Sequence, residues 1–181
     1  MGRLVIASLG LVIAFGFNLR AQEPFAKKSP AVALLPAPAA NLSRGKANII
    51  ELSFRVQPGF HINSNQPSAE YLIPTTLGLD PPTDLMVGKI TYPAGEDRSF
   101  AFAPSEKLNV YSGQFTLSVS VRPLASVLPG EYEFHGNLRY QACDNAACYP
   151  PKNLAVRFAV KVVKPKPPPK KNPAQSPHAG N

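Results

Sequence analysis

Phe115-Thr116-Leu117-Ser118-Val119-Ser120-Val121-Arg122 places an apolar side chain at every second position. A period of two sends those four groups to one face of an extended chain and the polar ones to the other. The same alternation runs through Ile50, Leu52, Phe54 and Val56, interleaved with Glu51, Ser53, Arg55 and Gln57. It returns in Leu154, Val156, Phe158 and Val160. Asp84 to Tyr92, with Leu85, Val87 and Ile90, reads as another strand, ended by Pro93-Ala94-Gly95. Glu131 to Tyr140, marked by Tyr132, Phe134 and Leu138, is a further one and follows Pro129-Gly130. Pro58-Gly59 supplies a turn after the first of these strands. No stretch shows a convincing helical period, and 21 prolines argue against a helical bundle. The fold expected is an all-β, immunoglobulin-like β-sandwich with flexible N- and C-terminal segments.

The ends have a different composition. Met1-Gly2-Arg3, the uncharged run Leu4 to Phe17 and the small residue Ala21 have the layout of a secretory signal over residues 1–21. The run is shorter than the roughly 20 apolar residues a spanning helix needs. Residues 22–46, rich in Ala, Pro and Lys, read as a linker, 47–163 as the domain, and 164–181 as a disordered Pro- and Lys-rich tail. The charge of +8 lies mostly on those ends. Residues 1–46 hold six basic residues and one acidic one, and 161–181 hold five basic and none acidic. Residues 47–160 hold eight basic against ten acidic, so the domain is slightly acidic and nucleic-acid binding is not expected of it.

Two cysteines remain, in Tyr140-Gln141-Ala142-Cys143-Asp144-Asn145-Ala146-Ala147-Cys148-Tyr149-Pro150-Pro151. They sit between two expected strands, where a hairpin end brings them together. Opposed non-hydrogen-bonded residues have Cα atoms about 4.5 Å apart, within disulfide range. Spacing alone leaves two readings open, a structural staple or a redox-active pair. The closed loop is short, so the entropic gain from a staple is small. Zinc lacks ligands, because the only imidazoles are His61, His135 and His178 and no second Cys pair exists. A Cys–His hydrolase has no His at a readable spacing from either cysteine.

The hairpin Tyr140-Gln141-Ala142-Cys143 to Cys148-Tyr149-Pro150-Pro151 resembles the active-site hairpin of the N-terminal periplasmic domain of the thiol:disulfide interchange protein DsbD family. Pro58-Gly59-Phe60-His61-Ile62-Asn63-Ser64-Asn65 and Lys107-Leu108-Asn109-Val110-Tyr111 support the likeness, which spans about residues 47–162. The resemblance implies an immunoglobulin-like periplasmic domain that takes electrons from a membrane electron donor and reduces thioredoxin-fold redox proteins. It implies that Cys143 and Cys148 are the dithiol, with Cys148 attacking a partner disulfide and Cys143 resolving. It also implies a cap loop over the sulfurs, here Glu96 to Ser105, with Phe100 or Phe102 as the lid. Core packing is the competing role for both rings. His61, Asn63, Tyr140 and Tyr149 are expected as possible supporting residues; His61 has two readings, assistance in proton movement, because its ordinary pKa is near neutral, or a surface or satisfied strand-end histidine. Asp144 is expected to disfavour a neighbouring thiolate. No cofactor and no metal are expected, and the domain is expected to be a monomer. Two departures stand out. The four-residue spacing is one shorter than in the best-known members, and no multi-helix segment or thioredoxin domain follows, so electrons are expected from another polypeptide. A secreted immunoglobulin-like binding module with a structural disulfide is the alternative, and an envelope scaffold with docking tails a third reading.

Overall fold

A computed structural model describes residues 30–36 and 39–164. The expected signal segment and the tail beyond Lys164 lie outside the described residues. The first sheet contains β1 (Val32–Leu34), β3 (Asn48–Val56), β9 (Gln114–Pro123) and β6 (Leu85–Thr91), in the order β1-β3-β9-β6. The second contains β2 (Ala40–Ser43), β12 (Lys152–Val163), β10 (Gly130–Tyr140) and β5 (Thr76–Asp80), in the order β2-β12-β10-β5. Among the described residues no helix forms, and the all-β sandwich is the architecture observed.

The alternating stretches do what their period requires. Leu52, Phe54, Leu117, Val119 and Val121 from one sheet, and Phe134, Leu138, Val156 and Val160 from the other, share one buried core. Cross-strand partners Phe54 and Phe115 stack at 5.3 Å between ring centroids, and partners Phe134 and Phe158 at 5.0 Å. Truncating a ring buried like Phe54 or Phe134 to Ala costs about 3–5 kcal/mol. Gly136 has a packing reason: a Cβ there would lie 2.3 Å from the Gly78 carbonyl oxygen of the neighbouring β5.

The described part of the expected 22–46 linker, residues 30–36 and 39–46, includes two strands. β1 pairs antiparallel with β3, and β2 pairs parallel with β12, so the chain is already part of the sandwich at Val32. Val32 and Leu42 are buried in the core. Strands of three and four residues are too short to display a period, and their partners lie far along the chain, which hides them from a local reading.

A third, smaller sheet grows from one end of the sandwich. It consists of β11 (Ala142–Cys143), β4 (His61–Asn63), β8 (Ala103–Tyr111) and β7 (Glu96–Phe100), in the order β11-β4-β8-β7. β4 leaves β3 through a turn at Gly59, whose φ of 83° suits a residue without Cβ. β8 runs into β9 through Gly113, φ 61°, and β11 continues directly from β10. Three core strands thus feed this sheet and hold it against the sandwich.

Candidate functional site

The β10–β12 hairpin runs in register from Gly130 opposite Val162 to Tyr140 opposite Lys152. Beyond that point the chain narrows into a second, tighter hairpin. Tyr149 N–H donates to Ala142 O at 2.8 Å, and Asp144 N–H donates to Ala147 O at 2.9 Å. Those bonds flank Cys143 and Cys148, which makes them a directly opposed, non-hydrogen-bonded pair. Their Cα atoms are 3.9 Å apart and the two sulfurs are bonded. Asp144 shapes the turn between them, its Oδ1 accepting from the N–H groups of Ala146 and Ala147 at 2.8 and 2.9 Å. Such side-chain acceptance is the Asx device that tolerates a tight reversal. The Tyr149 phenol donates to the other carboxylate oxygen of Asp144. That bond, then burial and the Asp144 charge, raise the phenol's pKa.

The two cysteines differ in access. Cys143 is fully buried, whereas Cys148 is only partly covered. Cys148 borders an open groove of about 450 Å³, with Tyr71, Leu72, Phe102, Pro104 and Gln141 among its walls. Tyr71 stands out at this rim, exposed, its phenol donating to Glu106 Oε2 at 2.6 Å.

Strand β4 lies beside Cys143. The register sets His61 opposite Cys143 and Ile62 opposite Ala142. His61 is buried, with its Nε2 without a hydrogen-bond partner. Burial, reinforced by the nearby Arg98 charge and opposed by Asp144, lowers its pKa to about 4, so the ring is neutral at pH 7. A proton-moving role draws on a near-neutral titration, which the buried ring does not have. Phe100 stacks on the imidazole with centroids 3.7 Å apart and planes at 12°. Phe102 stacks on Phe100 at 5.6 Å and is 36% exposed. The segment Glu96 to Ser105 is therefore a strand, a turn at Ala101-Phe102 and the start of another strand, with two aromatics layered over His61.

Asn63 is buried, and its Nδ2 donates to Ile73 O at 3.0 Å and to Gln141 Oε1 at 3.1 Å. Gln141 Oε1 also accepts from Ile73 N–H, and its Nε2 donates to Tyr149 O at 3.3 Å. One amide thus ties together β4, the Ile73 segment and both arms of the cysteine hairpin. Gln141 is not among the site residues expected from the sequence, although its place in the Tyr-Gln-x-Cys motif is a signal for it. Tyr140, expected near the site, belongs to the sandwich core, where burial raises its phenol pKa. Tyr149 packs against Phe60 at 6.0 Å between centroids. Among the described residues no group of three or more His, Cys, Asp or Glu is placed to hold a metal ion.

The sequence profile of the N-terminal part of the thiol:disulfide interchange protein DsbD matches residues 31–159, which includes β1, β2 and the whole cysteine hairpin. The chain belongs to this family. Thiol–disulfide exchange is the chemistry of the DsbD N-terminal family, and this member carries its cysteine pair at disulfide distance. Similar solved structures include the reduced Neisseria meningitidis DsbD N-terminal domain, 19% identical with a TM-score of 0.39, covering 62% of this chain and 80% of that one. The N-terminal periplasmic domain of ScsB from Proteus mirabilis is 15% identical with a TM-score of 0.48, covering 72% of this chain and 51% of that one. A complex of the Neisseria meningitidis DsbD and PilB N-terminal domains matches at 20% identity and a TM-score of 0.37, covering 60% and 73%. No curated protein sequence matches the chain.

Proposed function

We propose that the domain is a periplasmic electron carrier that exchanges its Cys143–Cys148 bond with the cysteines of thioredoxin-fold redox proteins, and is recharged by a membrane electron donor. The observation that carries this reading is the unequal access of the two sulfurs, Cys143 buried and Cys148 bordering the groove. In the reduced domain the Cys148 thiolate attacks one sulfur of a partner disulfide, and the partner's second sulfur leaves as a thiolate. Cys143, once deprotonated, attacks Cys148 Sγ, and the partner's first sulfur departs with the electron pair of the mixed disulfide. Two electrons and two protons have then passed to the partner, and the domain is left as the disulfide. Phe100 and Phe102 act as a lid that keeps small oxidants from the dithiol and swings aside for a docked protein.

Replacing Cys143 by Ser tests this assignment. The variant keeps the attacking thiol and lacks the resolving one, so mixed disulfides through Cys148 accumulate with a thioredoxin-fold partner. The Cys148→Ser variant, whose remaining thiol is buried, accumulates far fewer. Equal trapping by the two variants, or none by either, overturns the assignment.

A further inference from the structure

His61 and Cys143 are each buried and each lack something the other state of the protein supplies. Directly opposed residues of an antiparallel pair project to the same face, with Cβ atoms about 4.5–5.5 Å apart. The β4–β11 register puts His61 and Cys143 in that relation. His61 Nε2 is cut off from solvent and has no donor. Cys143 is equally cut off, so a thiol formed there has no water to bond.

We propose that His61 Nε2 is the acceptor for the Cys143 thiol, a hydrogen bond that exists only in the reduced domain. In the disulfide, Cys143 Sγ carries no proton and cannot donate. Adding two electrons and two protons breaks the S–S bond and gives two thiols, and the one on Cys143 then points its proton at the waiting nitrogen. The imidazole is suited to accept because it stays unprotonated at neutral pH, held so by burial and by Arg98 on β7 against the opposing charge of Asp144. The Phe100 and Phe102 rings stacked over it keep water away from the nitrogen. Two consequences follow. The bond favours the dithiol, shifting the pair toward a more oxidising potential. It also keeps Cys143 protonated and quiet until Cys148 has engaged a partner. This deepens the carrier reading and rests on it for its biological meaning, but the bond itself can be measured without any partner.

The test is the thiol–disulfide equilibrium of the full chain against glutathione. His61→Phe keeps an aromatic ring under Phe100 and removes the acceptor. It is expected to shift the equilibrium three- to tenfold toward the disulfide, about 15–30 mV at 29.6 mV per tenfold. His61→Gln, which retains a buried acceptor, is expected to shift it less. A purely structural role would lower the thermal stability of both redox states equally and leave the equilibrium unmoved, and that result overturns the proposal. Should His61→Phe not fold, the ¹⁵N resonance of His61 Nε2 in the native protein decides. It moves on reduction in the direction of an accepted hydrogen bond if the proposal holds, and stays in place if it does not. Absence of exchange with partner proteins would sink the carrier reading while leaving both of these results readable.

Discussion

Phe100 lies flat on the imidazole of His61, their centroids 3.7 Å apart, so the tip of the β7–β8 hairpin is fastened to the strand that flanks Cys143. The contact joins a residue of the proposed lid to a residue of the floor beneath it. An aromatic pair of this kind contributes about 0.5–1.5 kcal/mol beyond burial, enough to hold a hairpin closed most of the time and too little to lock it.

Removing that ring should therefore loosen the lid. Phe100→Ala is expected to speed oxidation of the reduced pair by a small aromatic disulfide about three- to tenfold, following from that stacking energy. Phe102→Ala, whose ring is 36% exposed and stacks on Phe100 and not closely on His61, should have a smaller effect. Stopped-flow measurement of thiol release checks both; unchanged rates in both variants would leave the rings as packing alone.

The neutral, buried His61 makes the domain acid-sensitive. Unfolded, its imidazole takes a proton near pH 6.5; folded, only near pH 4. Between these values the unfolded chain binds the extra proton, so stability is full above pH 6.5 and declines as the pH falls to 4. The loss is at most on the order of 3 kcal/mol. Urea unfolding of the oxidised protein at pH 7 and pH 4.5 measures it. His61→Phe should flatten that difference.

Gln141 bonds to Asn63, Ile73 and Tyr149 at once. Gln141→Leu removes one of the two acceptors of the buried Asn63 amide, leaving it Ile73 O, and removes the acceptor of the Ile73 N–H, and should cost about 1–3 kcal/mol of stability. Thermal unfolding reads the loss directly, and a stability within experimental error of the native value would remove Gln141 from the framework of the site.

Asp144 holds the Tyr149 phenol above its ordinary pKa, chiefly by accepting its hydrogen bond. Asp144→Ala should bring one tyrosine's titration down toward 10, visible in the ultraviolet, with Tyr149→Phe identifying which tyrosine moved. A titration curve identical to that of the native protein would show that the bond does not persist in solution.

The long strands could be read from the chain because their partners only had to be apolar on one face. Ile50 to Val56, Phe115 to Val121 and Leu154 to Val160 carry that period in full and became β3, β9 and β12. The cysteine hairpin was equally readable, since Cys143 and Cys148 are close in sequence and flanked by strands. Contacts made across long separations were harder to see. β2 is four residues long and pairs parallel with the far end of the domain. The small sheet is built from strands of two to nine residues, in which His61, Phe100 and Cys143 meet only after folding. Nor does a sequence disclose desolvation, so the lowered pKa of His61 emerged only once its burial was known.

The reduction potential of the Cys143–Cys148 pair tests the carrier reading most directly, by equilibration with glutathione or thioredoxin. Exchange with redox proteins requires a bond that opens readily, and the expected potential is higher than about −300 mV. A value below about −300 mV, together with a large loss of stability in the Cys143→Ala/Cys148→Ala double variant, would identify the bond as a structural staple and contradict the account.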